Sequence, residues 1–289
     1  MLGTVGPPGV YSAPALSPDE KRLAFRRMDQ QPAGDIWVLD LARQALSRFT
    51  FSPRSEWYPI WSPDASQIVF SSDQDGSMRY YRGNASGIGT EEPMTKTGDG
   101  APNTISGAGI PAAISPDGSL FLHFEGRSGP TGTDIFVMPL TGDRTSRPVV
   151  QTPFTDAEAM FSRDGRWLAY TSNETGRYEL YVQAFPSTGG RWQISSAGGR
   201  QPAWRGDGKE LFFSDDEGRL YAVDVNGSGK SFEFGVPHML FQMRTDVAAN
   251  VRNSYVVTND GQRFLVNALL DSGTSPINVV VNWPASLPK

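Results

Sequence analysis

A short polar turn recurs six times along the 289 residues, and its spacing is the strongest constraint on the fold. The common form is Ser-Pro-Asp-Gly, in which proline presets φ, aspartate bonds backbone amides and glycine takes the left-handed position. Successive copies lie 43 to 53 residues apart, a length typical of a four-stranded β-propeller blade. Every copy keeps its aspartate: Asp19, Asp64, Asp117, Asp164, Asp207 and Asp260.

Single copies of the turn depart from the common form. Glu20 and Ala65 stand where glycine is expected, whereas Arg163, Gly206 and Asn259 replace the proline. Because all six copies retain the aspartate through these changes, we interpret the six aspartates as turn formers rather than as catalytic groups.

An apolar strand follows each turn. Runs such as Leu23-Ala24-Phe25 and Leu168-Ala169-Tyr170 are continuous, as expected for strands buried on both faces between neighbouring blades. The last repeat has no outer strand after Val281, and the N-terminal segment 2–5 has no blade of its own. The sequence therefore predicts one all-β domain over residues 1–289, a six-bladed β-propeller of four-stranded antiparallel blades. Its ring is closed by the N-terminal strand in the last blade.

Composition excludes several classes of function. The net charge is −5 and no Lys/Arg cluster stands out, so we expect no nucleic-acid partner. The chain has no cysteine, which excludes disulfides and thiolate metal sites. No apolar run approaches the roughly 20 residues that span a bilayer. We therefore expect a soluble monomer that does not insert into a membrane.

The repeats resemble those of a known group of proteins. Ser-Pro-Asp-Gly turns combined with the strand 35–38 (Asp-Ile-Trp-Val) resemble the TolB-like, WD-repeat-like propellers of bacteria. The stretches 161–170, 177–182 and 278–284 look like the C-terminal sensor propeller of acidobacterial-type serine/threonine protein kinases. That resemblance implies a sensor or scaffold module, extracytoplasmic or periplasmic if it belongs to a membrane-anchored receptor kinase. The kinase loops themselves do not occur in this sequence.

Residues four to six places before each turn should lie at the mouth of the central channel, where inner strands begin. These positions are polar and differ between repeats. Arginine suits carboxylate or phosphate groups, and the two aromatic residues could stack on a ring. A solvated rim with internal ion pairs, such as Glu158 with Arg200, carries equal weight. The candidate ligand-binding residues are Glu56, Trp57, Tyr58, Asp156, Glu158, Arg200, Gln201, Arg252 and Asn253.

Three functions remain open at this point. The first is recognition of a peptide, a protein or a small polar ligand at the channel mouth, with no cofactor and no catalysis. The second is a hydrolase of lactones, esters or phosphotriesters, in which Glu56, Asp156, Glu158 and Asn253 would hold Ca²⁺ in the tunnel. The third is a purely structural interaction module. No nucleophile elbow occurs, and His123, expected to pack between blades, could not reach the mouth.

Overall fold

The computed structural model describes residues 3–29, 33–94, 109–126, 132–229, 231–245 and 253–269, together with the backbone of residues 275–281. All regular elements of this described part are β-strands, and their pairing is antiparallel throughout. Within the same residues, no helix is long and apolar enough to cross a membrane.

Five blades are each built from consecutive strands of the chain, in the order inner to outer edge. The first two contain β2 (Tyr11–Leu16), β3 (Arg22–Arg27), β4 (Asp35–Asp40) and β5 (Ala45–Arg48), then β6 (Glu56–Trp61), β7 (Gln67–Ser72), β8 (Arg79–Asn84) and β9 (Glu92–Pro93). The third and fourth contain β10 (Ile110–Ile114), β11 (Leu120–Gly126), β12 (Thr133–Pro139) and β13 (Arg147–Val150), then β14 (Asp156–Phe161), β15 (Trp167–Ser172), β16 (Glu179–Ala184) and β17 (Arg191–Gln193). The fifth contains β18 (Arg200–Trp204), β19 (Glu210–Ser214), β20 (Arg219–Asn226), β21 (Glu233–Phe234) and β22 (His238–Gln242).

The remaining sheet is a composite of the two ends of the chain. Its order is β23 (Tyr255–Val257), β24 (Arg263–Asn267), β25 (Ser275–Val281) and β1 (Gly3–Gly9), with Thr4 opposite Asn278. The predicted pairing of the N-terminal strand with the last repeat is confirmed. The described part of the last repeat supplies three strands, and β1 covers the edge of β25 that these strands leave unpaired.

The expectation of a six-bladed propeller with equal four-stranded blades is wrong. The chain forms five blades of consecutive strands and one composite sheet, and the fifth blade has five strands. The extra strand arises because β20 is eight residues long. One half of β20 pairs with β22 and the other half with β21, so two short strands share its outer edge.

The sheets are arranged around a central channel. The strands β2, β6, β10, β14, β18 and β23 each lie at the end of their sheet, and neighbouring members of this set contact one another. The contact between β18 and β23 includes a hydrogen bond from the Tyr255 hydroxyl to the Gln201 carbonyl, 2.8 Å long. We call these six the inner strands. No described strand pairs with their second edge, so their backbone groups on that edge face the channel.

The hydrophobic core is divided among the junctions between neighbouring sheets. Six separate clusters of buried side chains lie there, and each joins residues of two sheets. The second strand of each sheet contributes fully buried residues to the clusters on both of its faces, for example Leu168 and Tyr170 to one and Ala169 to the next. This confirms the interpretation of those apolar runs as strands buried on both faces.

The six turn aspartates bond within their own turns. In five turns a Ser or Thr hydroxyl donates to the aspartate at 2.5–2.6 Å, as Ser62 does to Asp64, and in the fifth blade Arg205 takes that role. These bonds lower the pKa of Asp64 and Asp207 to about 2. The aspartates are therefore ionised turn formers, as the sequence predicted.

Removal of residues 1–6 should loosen the composite sheet. The deletion takes away Gly3, Thr4 and Val5, which pair with β25, and leaves β25 as an open edge. We expect amide protection in β24 and β25 to fall by about tenfold or more, because each lost backbone bond contributes on the order of 1 kcal/mol. Hydrogen exchange measures this change, and β15 in the fourth blade serves as the internal control. Unchanged protection in β24 would contradict the closure.

Candidate functional site

The inner strands share a local irregularity near the predicted mouth. In the five contiguous blades, the pairing of the inner strand with the next strand shifts register close to its start. Tyr58, Glu158 and Gln201 lie in these shifts with φ between 52° and 55°, a conformation that L side chains rarely adopt. The repeated bulge turns these side chains away from the regular alternation of a strand. No sequence signal identified it, because the residues at these positions differ.

Glu56 lies at the junction of the first two blades and is fully buried. Its Oε2 accepts a hydrogen bond from Thr50 at 3.0 Å. Its Oε1 and the Oδ2 of buried Asp35 have no hydrogen-bond partner among the described residues. Burial, with smaller contributions that include the charge of Asp35, raises the pKa of Glu56 to about 8. With no cation bound, Glu56 is therefore mostly protonated at pH 7.

Asp156 occupies the corresponding position in the fourth blade. It is fully buried, and it accepts a hydrogen bond from Thr152 at 2.7 Å. Burial raises its pKa, and the nearby hydroxyl groups of Ser172 and Thr152 oppose that effect. Asp156, like Glu56, is an internal residue of a blade junction and does not reach the channel surface.

Glu158 of the fourth blade contacts both Arg200 and Gln201 of the fifth blade. Glu158 accepts the backbone N–H of Gln201 at 2.9 Å and lies 3.6 Å from the Arg200 guanidinium. Arg200 also donates to Asp216 at 2.7 Å, and its guanidinium carbon lies over the Tyr178 ring, 3.8 Å from the ring centroid. The Gln201 side chain accepts the backbone N–H of Ser254 at 2.7 Å. The ion pair weighed from the sequence is present, so these side chains hold neighbouring sheets together at the mouth.

The other predicted residues are less engaged. Trp57 is partly exposed and has the Arg26 guanidinium over its ring at 5.1 Å, and Tyr58 is partly exposed on the bulge. Asn253 is also partly exposed and lines the channel. Arg252 lies outside the described residues. Of the candidate set, the structure brings Gln201 and Asn253 together on the channel wall, and it leaves Glu56 and Asp156 apart from them.

A cavity of about 400 Å³ lies between the C-terminal ends of β2, β6, β10 and β14 and extends along β18 and β23. Its lining comes from the inner strands of all six sheets and from the turns that follow them. Gln201 and Asn253 lie at the mouth. The wall is mainly apolar, and its largest side chains are Trp61, Trp204, Tyr255, Phe161 and Met160. A volume within the roughly 300–1,000 Å³ of ligand pockets and an apolar wall are both suited to a bound guest.

The opposite end of the cavity carries polar residues that the mouth-centred prediction missed. Glu20, Arg163 and Asn259 line the cavity where the inner strands end in the repeated turns. All three are departures from the Ser-Pro-Asp-Gly form. The sequence signal was therefore available, but it appeared as isolated exceptions in three different repeats.

The described residues do not bring the alternative calcium ligands together. No group of three or more His, Asp or Glu side chains among them is placed to hold a metal ion. His123 is fully buried at the junction of the second and third blades, stacked between Phe121 and Phe136. Its ring nitrogens lie 3.0 Å from the Tyr80 and Ser146 hydroxyls. His123 packs between blades, as predicted, and does not line the channel cavity.

Comparison with known proteins agrees with this geometry. Residues 4–110 match the family model of the TolB β-propeller domain. The protein has a TolB-like β-propeller fold. A putative TolB from Agrobacterium tumefaciens is 21% identical, with a TM-score of 0.60 over 80% of this chain and 82% of that one. These comparisons do not test the resemblance to the sensor propellers of kinases, which remains a prediction.

Two other structural neighbours have different functions. An oligogalacturonate lyase in complex with manganese is 13% identical, with a TM-score of 0.64 over 96% of this chain and 92% of that one. A chain of a nidogen/laminin complex is 14% identical, with a TM-score of 0.55 over 75% of this chain and 76% of that one. At these identities the likeness shows the fold alone, so function has to be argued from the site.

Replacement of Glu56 by glutamine should change the pH dependence of stability. The folded-state pKa of about 8 lies above the ordinary value of 4.5. Between these values the folded state binds the extra proton, so stability falls as pH rises, by at most ~1.4 kcal/mol per pH unit. Glu56→Gln keeps the shape without the titration. We expect its free energy of unfolding to exceed that of the wild type increasingly towards pH 8.

Urea unfolding of both proteins near pH 5 and near pH 8 measures this difference. Glu92→Gln is the matched control, because Glu92 lies exposed in β9. The burial account of Glu56 would be refuted if both variants showed the pH dependence of the wild type.

Proposed function

We propose that the protein is a binding module that takes up a segment of a peptide or partner protein in its central channel. The observation that carries this proposal is the cavity along the inner strands, with its mainly apolar wall. The wall also presents the second backbone edge of each inner strand. A guest with both apolar side chains and backbone N–H and C=O groups matches such a wall, and an extended peptide has both.

The mouth residues support recognition on a rigid frame. Glu158, Arg200 and Gln201 are engaged with one another and with the composite sheet. The partly exposed Trp57 and Tyr58 remain as contact surface on the opposite side of the mouth. Aromatic side chains supply contact area at a low entropic cost, so they suit the first contact with an entering segment.

The metal-dependent hydrolase has less support from the described residues. Two of its proposed ligands, Glu56 and Asp156, are fully buried, and no group of three or more His, Asp or Glu side chains among the described residues is placed to hold a metal ion. The presence of a propeller in a nidogen/laminin complex illustrates that this fold occurs in protein assemblies. The presence of a lyase among the neighbours illustrates that the fold by itself decides nothing.

Blocking the channel should abolish peptide binding. Ala203 and Val257 are both partly buried and line the cavity. Ala203→Trp or Val257→Trp would fill part of its 400 Å³, whereas Ala42→Trp adds the same ring to an exposed loop and serves as the control. The probes are two random libraries of short peptides, one attached through its amino end and one through its carboxyl end.

We expect peptides enriched on the wild type to lose at least tenfold in affinity for both channel variants and to keep their affinity for Ala42→Trp. Near-ultraviolet circular dichroism would check that each variant is folded. Equal binding to a folded, blocked channel, or no enrichment from either library, would overturn the proposed function.

A further inference from the structure

The second residue of the repeated turn lies at the end of the cavity in five of the six copies. In the first three blades this residue is Pro18, Pro63 or Pro116, and each lines the cavity with an apolar ring. In the fourth blade and in the composite sheet the same position holds Arg163 and Asn259, which also line it. The turn end of the channel is therefore apolar on one side and polar on the other.

Arg163 reaches across this end of the channel. Its Nη2 donates to Asn259 Oδ1 at 2.6 Å, a contact between residues 96 positions apart. The two residues belong to sheets that are separated by the fifth blade, whose turn lies beneath the contact. There the backbone N–H of Gly206 donates to the Asn259 carbonyl at 2.8 Å, and a Cβ at position 206 would lie 2.6 Å from that oxygen. Glycine at position 206 thus permits the bridge.

The neighbours of Arg163 are held by other partners. The Asn259 side-chain amide donates to the Pro18 carbonyl at 3.1 Å, and the Asn259 backbone N–H donates to Glu20 Oε1. Glu20 Oε2 is paired with Arg263 at 3.3 Å. Both Glu20 oxygens therefore have partners. The charge of Glu20 still acts on Arg163 without a hydrogen bond between them in the described structure.

Arg163 is the one lysine or arginine among the described residues that line the cavity. A guanidinium group has five N–H donors, and the described structure gives Arg163 the single bond to Asn259. The remaining donors are on an exposed side chain at the end of an apolar channel. Such a fork is suited to a carboxylate, which it binds through two parallel hydrogen bonds.

We propose that the channel binds an extended peptide by its free carboxyl terminus, which Arg163 holds at the turn end. This inference rests on the proposed function and adds the direction and the chemical end group of the guest. The cavity is lined by the last two or three residues of β6, β10 and β14, about 7–10 Å of extended chain, so the last two or three residues of a peptide lie within it. A volume of 400 Å³ favours small side chains along that length.

A peptide fits better than an aliphatic carboxylate because of the strand edges. The inner strands have backbone N–H and C=O groups on an edge that no strand covers. An aliphatic chain would displace water from these groups without replacing its hydrogen bonds, and each group left unpaired would weaken binding. A peptide backbone offers donors and acceptors in return.

The two peptide libraries test this proposal directly. Enrichment should occur in the library attached through its amino end, whose carboxyl ends are free. A peptide selected there, synthesised with a carboxamide end, should bind the wild type about tenfold to a hundredfold more weakly, as expected for a lost charge-assisted pair. Arg163→Pro restores the residue that three other turns carry and should lower affinity for the free acid by a similar factor. Arg163→Lys should bind the free-acid peptide more tightly than Arg163→Pro does, but less tightly than the wild type.

The carboxamide peptide and the Arg163→Pro variant should not have additive effects on affinity. On Arg163→Pro, the acid and the amide should bind equally, since the two changes remove the same interaction. Arg166→Ala is the matched control, because Arg166 lies three residues away and donates to Gly227 and Asp164 outside the cavity. Isothermal titration calorimetry measures all of these affinities.

Several results would overturn the inference while leaving the proposed function intact. One is equal binding of acid and amide by the wild type, with both still lost on Ala203→Trp. Another is an unchanged affinity of Arg163→Pro for the acid. Decanoate binding as tightly as the selected peptide would instead overturn both the inference and the proposed function, because the guest would then be an aliphatic acid. Binding that survives Ala203→Trp would remove the proposed function as well.

Discussion

The hydrogen bond between a turn hydroxyl and a turn aspartate is the interaction on which the rest of the structure depends. It closes the hairpin between the inner strand and the second strand of a sheet, as Ser162 does with Asp164. The same aspartate accepts a backbone N–H two residues later, which fixes where the second strand begins. Because these bonds fix the turn and the start of the second strand, the apolar second strands pack between neighbouring sheets and the inner strands surround a channel.

Because the aspartate fixes each turn, other residues of the turn can change while the sheet keeps its structure. The aspartate is kept in all six copies, while the residue before it is free to change. Where that residue is proline, the channel end is apolar. Where it is Arg163 or Asn259, polar groups meet across the fifth blade. The constant aspartate and the variable residue are therefore neighbours in the same turn. The variable residue is the one that lines the cavity, as Arg163 and Asn259 do.

Much of the fold could be predicted from the sequence, because blade spacing and turn chemistry are local. The unequal fifth blade could not, since two short strands along β20 depend on the length of that strand rather than on any repeat. The burial of Glu56 and Asp156, two of the predicted mouth residues, was missed. The solvation of Glu56 depends on the packing of two blades and on Asp35, which is distant in sequence. The contact of Arg163 with Asn259 likewise exists only once the ring is closed.

The central claim is that a guest occupies the channel along the inner strands. Hydrogen exchange of the protein with and without a selected peptide tests it most directly, since each strand reports separately. Our account predicts slower exchange in β6, β10, β14 and β18, whose second edges face the channel. Exchange in the outer strands β5, β13 and β17 should stay the same. Protection confined to the outer strands, with the inner strands unchanged, would contradict the account.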